Sequence, residues 1–309
     1  MSDELHRVQR ELTRIPGFEQ LRQGSYGVER LGGLTNLVFR IDIGDDRYVL
    51  RIPGKGTEEY IDRKVEMHNA RVAARAGVSA EVIHADADSG VMLTRYIDGI
   101  VTMTPAEFSR RNGAAARAGI ALQRMHSCSE PFEFRFELFA MIDDYLAILD
   151  ARKAELPPGY AQVVESAAPV RTALQQNPAG LAPCHCDPLC ENFLDNGERM
   201  WIVDWEYSGM NDPLWDLGDL SVEACFGDTQ DVEMMRAYCG REPLPAEFGR
   251  MVIYKAMCDL LWTLWGLIQH SDGNPAEDFW AYAIGRFERC QQLMNRPEFA
   301  EHVDAVMAG

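Results

Sequence analysis

No apolar run in this chain of 309 residues is long and unbroken enough to read as a membrane span. The longest apolar region, 251–268, is interrupted by Lys255 and Asp259, charges that are costly in lipid and fit a core helix with one wet edge. The opening stretch Met1-Ser2-Asp3-Glu4-Leu5-His6-Arg7 lacks the apolar core of a secretory signal. Repeats, linkers and low-complexity tracts are absent as well. Basic charge is scarce: 30 Lys and Arg face 48 Asp and Glu, a net charge of -18. The deficit lies beyond residue 100, where 16 basic residues stand against 32 acidic ones. Such a field repels nucleic acid and draws small cations. Eight cysteines without secretory targeting fit a reducing cytoplasm, where all of them are expected to pack as small hydrophobes. The expectation is a cytoplasmic protein with no nucleic acid and no membrane as partner, its oligomeric state left open.

What is present begins with 47% hydrophobic residues, ample for a packed core. Leu37-Val38-Phe39-Arg40-Ile41-Asp42-Ile43 alternates, turns at Gly44-Asp45-Asp46, and alternates again over Arg47-Tyr48-Val49-Leu50-Arg51-Ile52, the pattern of a hairpin. A helix is expected from about Glu58 to Ala76, closed by Gly77, and a strand over 91–97, closed by Asp98-Gly99. Helical stretches follow near 105–126, 137–152, 159–176, 213–225, 245–270 and 276–294. The reading is an α+β chain with a small β-rich N-terminal lobe, residues 1–97, and a larger helical C-terminal lobe, residues 98–309.

Two short segments carry the chemistry. His185-Cys186-Asp187-Pro188-Leu189-Cys190-Glu191-Asn192 sets an Asp five residues before an Asn in a Pro-containing turn, so that a carboxylate and an amide oxygen approach one small volume. Met200-Trp201-Ile202-Val203 is a short buried strand that ends in Asp204. Magnesium takes hard oxygen donors and usually one or two carboxylates besides phosphate and water. Asn192 and Asp204 supply that set, which leaves Asp187 for an acceptor hydroxyl. An Asp with an ordinary pKa near ~3.9 is ionised at neutral pH, as that role requires. Cys184, Cys186 and Cys190 flank His185, but their spacing is poor for a closed tetrahedral zinc site. Upstream, Gly32-Gly33-Leu34-Thr35-Asn36 precedes the hairpin, where glycines let backbone amides form an anion-binding nest.

His-x-Asp-x-x-x-x-Asn followed by a strand ending in Asp resembles the catalytic core of the aminoglycoside phosphotransferase and choline kinase superfamily. Asp204-Trp205-Glu206-Tyr207-Ser208-Gly209 is similar to the choline/ethanolamine kinase branch, its bacterial choline kinases included, and the resemblance runs from about Leu31 to about Phe287. It implies a bilobal protein-kinase-like fold, with ATP and Mg2+ in the cleft between the lobes. It also implies Gly33, Thr35 and Asn36 around the phosphates, Arg51 as phosphate ligand held by Glu66, Arg95 and Ile97 as the interlobe hinge, and Asp216 as the anchor of the catalytic loop. His185 belongs to that loop, as a brace or as a direct participant in catalysis. Trp262 and Trp265, three apart on one helix, would form with Tyr282 an aromatic pocket for a quaternary ammonium group. Glu206 and Glu223 are candidates for the pocket's anionic side, with outer support of magnesium an alternative for Glu206. The expected reaction is transfer of the γ-phosphate of ATP to the hydroxyl of choline. Ethanolamine or an aminoglycoside is an alternative acceptor, and a catalytically silent nucleotide-binding regulator is a reading from another class.

Overall fold

The computed structural model describes residues 2–32, 36–54 and 61–309. The chain opens with α1 (Ser2–Leu12), β1 (Gly27–Gly32), β2 (Leu37–Ile43), β3 (Asp46–Ile52), α2 (Arg63–Arg75), β4 (Val82–Ala85) and β5 (Met92–Arg95). These strands form one antiparallel sheet in the order β1-β2-β3-β5-β4. Alternation decides which side chains face which way. Phe39 and Ile41 of β2 and Tyr48, Leu50 and Ile52 of β3 point to one face, where Val8 and Leu12 of α1 cover them to make a small core. Arg51 therefore projects from the opposite face, toward α2.

The remainder is mostly helical: β6 (Val101–Thr102), α3 (Pro105–Arg110), α4 (Ala114–His126), α5 (Leu138–Ala151), α6 (Tyr160–Ser166), α7 (Ala168–Gln176), β7 (Ala182–Cys184), β8 (Phe193–Asp195), β9 (Met200–Ile202), β10 (Gly209–Asn211), α8 (Leu214–Glu223), α9 (Asp228–Cys239), α10 (Pro245–Ser271), α11 (Phe279–Met294) and α12 (Pro297–Ala308). Their apolar faces share one large core, which also takes Ala70, Val72 and Ala73 of α2. Helix α2 thus follows the sheet in sequence but packs on the helical part, bridging the two cores. The bilobal α+β expectation holds.

Several elements differ from the expected ones. Helix α2 starts at Arg63, where the Asp62 side chain caps the Lys64 and Val65 amides at 2.9 and 3.3 Å; residues 55–60 lie outside the description. The stretch 105–126 divides into α3 and α4 because Gly113 takes a left-handed φ of 71°. The stretch 159–176 divides at Ala167, and Pro169 opens the second piece. Helices α1, α9 and α12 and strands β1, β4, β6, β7, β8 and β10 had no expected counterpart. Helix α10, by length and composition able to cross a membrane, is buried along most of its length. Asp259 is not on a wet edge: it is buried and paired with Arg286 and Arg289 of α11. Nor are all the thiols core residues, for Cys225 is exposed and Cys128 and Cys239 are partly so.

Helix α8 meets α10 at Gly218, where an added Cβ would lie 2.7 Å from the Met251 carbonyl oxygen and 2.8 Å from Tyr254 Cβ. Gly285 of α11 has open space instead. Gly218→Ala is expected to cost about 1–3 kcal/mol through overpacking, whereas Gly285→Ala should add up to about 1 kcal/mol of helix propensity. Urea unfolding of both variants checks the contrast.

Candidate active site

Strand β7 delivers the chain into the loop that begins at His185, and one buried side chain holds that loop. Asp216, fully buried in the first turn of α8, accepts the His185 amide at 2.6 Å on Oδ2 and the Cys186 amide at 2.9 Å on Oδ1, with His126 Nε2 3.0 Å from Oδ2. Cys186 is left-handed at φ 67°, and its carbonyl accepts Trp215 Nε1 at 3.1 Å. An unusual backbone conformation persists where its surroundings over-determine it. Farther along, the Asn192 side-chain amide donates to the Asp187 carbonyl at 3.2 Å, and the Asn192 carbonyl accepts the Val203 amide at 2.9 Å. The second bond brings Asn192 beside Asp204, itself left-handed at φ 68°.

His185 is a brace. Its imidazole is buried, its Nε2 meets the Val203 carbonyl at 2.9 Å, and its ring lies against Trp205 at 4.9 Å. Burial lowers its pKa, so it stays neutral at physiological pH. Of the two expected roles, its burial and its contact with the Val203 carbonyl favour the brace. Asp187 departs from expectation. Burial, then the negative charges of Glu223 and Asp204, push its pKa up to about 7 in place of an ordinary carboxyl value.

Carboxylates and guanidinium groups alternate on the sheet side of the cleft. Arg51 pairs with Glu66 and lies 3.2 Å from Asp204 and 3.4 Å from Glu206. Arg63, one turn before Glu66 on α2, reaches Glu66 at 2.7 Å and Glu206 at 2.6 Å. Asn36 donates to the same Glu206 oxygen at 3.0 Å. Glu206 is thus committed to Arg63, Asn36 and Arg51, which corrects the expectation that it lines an amine pocket. Gly33 and Thr35 lie outside the described residues. Arg95 stacks over Tyr48 at 4.9 Å and pairs with Asp46 at 2.9 Å, while its amide donates to the Glu81 carbonyl at 2.8 Å. Ile97 follows just beyond the end of β5.

On the helical side five rings form a chain of edge-to-face contacts. Tyr207 is 6.0 Å from Trp262, Trp262 is 6.2 Å from Trp265, and Trp265 is 5.6 Å from Phe279 and 5.8 Å from Tyr282. Glu223 is bound to Arg286 at 2.5 Å, and the Arg286 guanidinium lies 4.7 Å over the Tyr282 ring. One face of Tyr282 and the charge of Glu223 are therefore already matched by a cation of the protein itself.

The model of the phosphotransferase enzyme family matches residues 27–247. A solved structure of a choline/ethanolamine kinase family protein from Mesorhizobium loti is 60% identical, covers 98% of this chain and 99% of its own, and superposes with a TM-score of 0.91. The chain belongs to the choline/ethanolamine kinase family. The choline kinase LicA from Streptococcus pneumoniae is similar at 25% identity and a TM-score of 0.75, over 94% of this chain and 98% of its own. Protein LicA of Haemophilus influenzae is 29% identical over 283 residues, 90% of this chain and 82% of its own length. As a member of this family the chain is a nucleotide-using phosphotransferase whose acceptor is an alcohol.

Sequence reasoning passed over Arg63, Tyr207, Asp219, Phe279 and Arg286. For Arg63 a signal existed in its i, i+3 spacing to Glu66, and Tyr207 follows Glu206 directly. Phe279 and Arg286 matter through partners on other helices. Asp216→Asn would leave one loop amide without its acceptor, which should cost about 1–3 kcal/mol. Thermal unfolding of the variant, read beside its turnover, checks that the loop and the family's activity fail together.

Proposed function

We propose that this kinase transfers the γ-phosphoryl group of ATP to the hydroxyl of choline in the cytoplasm. The observation that carries the choline reading is the indole pair Trp262 and Trp265, edge to face with Tyr207 and Tyr282 beside the loop of Asp187. A cation over an aromatic face, once desolvated, gains ~2 kcal/mol or more. Because a quaternary ammonium donates no hydrogen bonds, such faces suit it. Ethanolamine, whose ammonium group does donate, is the second reading, favoured by the carboxyl of Glu223, whose partner Arg286 lies over Tyr282.

The donor set suits Mg2+. Carboxylate oxygens of Glu66, Asp204 and Glu206 lie within 4.8 Å of one another, and two guanidinium groups face the three carboxylates. The side-chain nitrogen of Asn192 is turned to the Asp187 carbonyl, so its amide oxygen is available as a donor. Asn192 and Asp204 would hold the ion, with Glu206 supporting from behind. Its chemistry there would be to neutralise charge on the phosphate oxygens.

The remaining roles belong to this chain's own groups. Arg51, aimed by Glu66, grips the α- and β-phosphates with a rigid fork. Asn36, with Gly33 and Thr35 of the same glycine-bearing segment, serves the phosphates. The strand end at Arg95 and Ile97 receives adenine, with the Arg95 amide taken by Glu81 and the Ile97 backbone left for the base. Asp187 orients the acceptor hydroxyl and takes its proton late in a loose transition state. Asp216 fixes the loop that makes this possible. Trp262, Trp265 and Tyr282 enclose the ammonium group.

ADP release measured with choline, ethanolamine and aminoglycosides side by side tests the acceptor. Choline should give the highest kcat/KM, and stimulation by aminoglycosides alone would refute the reading. Trp262→Ala should raise the KM for choline about 30-fold, the equivalent of ~2 kcal/mol, and Asp187→Ala should cut turnover about 10²- to 10⁴-fold with nucleotide affinity kept.

The raised pKa of Asp187 has a sign that kinetics can read. Its carboxyl holds a proton below the shifted value and cannot accept one from the alcohol. The kcat/KM for the acceptor, which reports the free enzyme, is therefore expected to fall as pH drops through about 7. An acid limb centred near ~4, the ordinary Asp value, would contradict it.

A further inference from the structure

Asp219 sits one turn beyond Asp216 and one turn before Glu223, so α8 carries three carboxyls along one side. It is fully buried. Its Oδ1 accepts the Cys258 thiol of α10 at 3.0 Å, while its Oδ2 has no hydrogen-bond partner among the described residues. A buried carboxyl oxygen without a partner is unfavourable, and an ionised one without a counter-charge far more so.

The surrounding charges do not supply that counter-charge. Glu223 shares the helix, Cys186 and Asp187 face it from the catalytic loop, Cys258 from α10 and Arg286 from α11. Arg286 is the nearest cation, and it is held by Glu223 at 2.5 Å and Asp259 at 3.2 Å. Arg289 is held by Asp259 at 2.6 Å. The position is as telling as the imbalance. Cys258 lies one helical turn before Trp262 and two before Trp265, on the same side of α10, and the charge of Asp187 is felt at Asp219. The free oxygen thus belongs to the wall between the group that receives the hydroxyl and the rings.

We propose that Asp219, and not Glu223, is the anionic partner of the acceptor's ammonium group, a specificity-determining carboxyl left without a counter-ion until the amino alcohol enters. This rests on the reading of the chain as an amino-alcohol kinase. In the free protein, burial and then the charges of Glu223 and Asp187 raise its pKa well above the ordinary carboxyl value, which favours the protonated form. Entry of a cation favours the ionised form: the O–H bond of the carboxyl breaks, the proton passes to solvent, and the carboxylate faces the ammonium.

The test compares choline with 3,3-dimethylbutan-1-ol, its uncharged carbon analogue of the same shape. For the wild type, kcat/KM should favour choline strongly. In Asp219→Asn that preference should fall about 30-fold or more, through the KM for choline, with the KM for the neutral alcohol little changed. Glu223→Gln should keep the preference within a few-fold. An Asp219→Asn enzyme with the wild-type preference, or a collapse in Glu223→Gln alone, would overturn the proposal while leaving the kinase reading intact. A wild type that phosphorylates no amino alcohol would remove both. Calorimetry of choline binding at neutral pH, in buffers of different ionisation enthalpy, should reveal a proton release in the wild type that Asp219→Asn reduces, the remainder coming from Asp187; equal release from both proteins would overturn the proposal. Heats that do not depend on the buffer would also overturn the proposal.

Discussion

Helix α8 can do its work because nothing projects from Gly218. With no side chain there, the helix lies directly against the backbone of α10 at Met251, and that close approach sets where three carboxyls go. Asp216 reaches back to the loop amides of His185 and Cys186, Asp219 is pressed against Cys258, and Glu223 meets Arg286. A slightly larger separation of the two helices would move the His185 loop and the proposed acceptor wall together. Packing between two apolar helices is thereby converted into the position of polar groups at the cleft.

Charge in the cleft is deliberately unbalanced at both ends. Near the sheet, Glu66, Asp204 and Glu206 are met by Arg51 and Arg63. Near the rings, Asp187, Asp219 and Glu223 face the single guanidinium of Arg286 among the described residues, and Asp259 shares it. Each surplus is negative, and each lies where the proposed reaction brings a cation: a divalent ion with the nucleotide, and an ammonium group with the alcohol. The acidic excess in the C-terminal two thirds of the sequence is consistent with that local shortage of positive charge, though most of it is spread over the surface.

The parts legible in the sequence are those in which spacing along the chain equals proximity in space. Alternation put Arg51 on the face opposite the core of the sheet, helical spacing put Trp262 beside Trp265, and the paired motif put Asn192 near Asp204. Illegible were contacts between residues far apart in the chain. Glu206 meets Arg63 across 143 positions and Asn36 across 170, so nothing local showed that its charge was already claimed. The pKa of Asp187 depends on Glu223, a residue of another element, and an isolated motif cannot reveal it. Likewise the division of 105–126 into α3 and α4 hinges on one left-handed glycine within a pattern that is otherwise continuously helical.

Where protein kinases place a lysine on the third strand, this chain has Arg51. Burial opposes its charge, but Glu66, Asp204 and Glu206 raise its pKa above an already high value. A guanidinium so placed never loses its proton in water, and it offers no nucleophilic amine. The proposed hold on the nucleotide should therefore persist in strongly alkaline media, and acylating reagents that silence lysine-dependent kinases would find no target at this position.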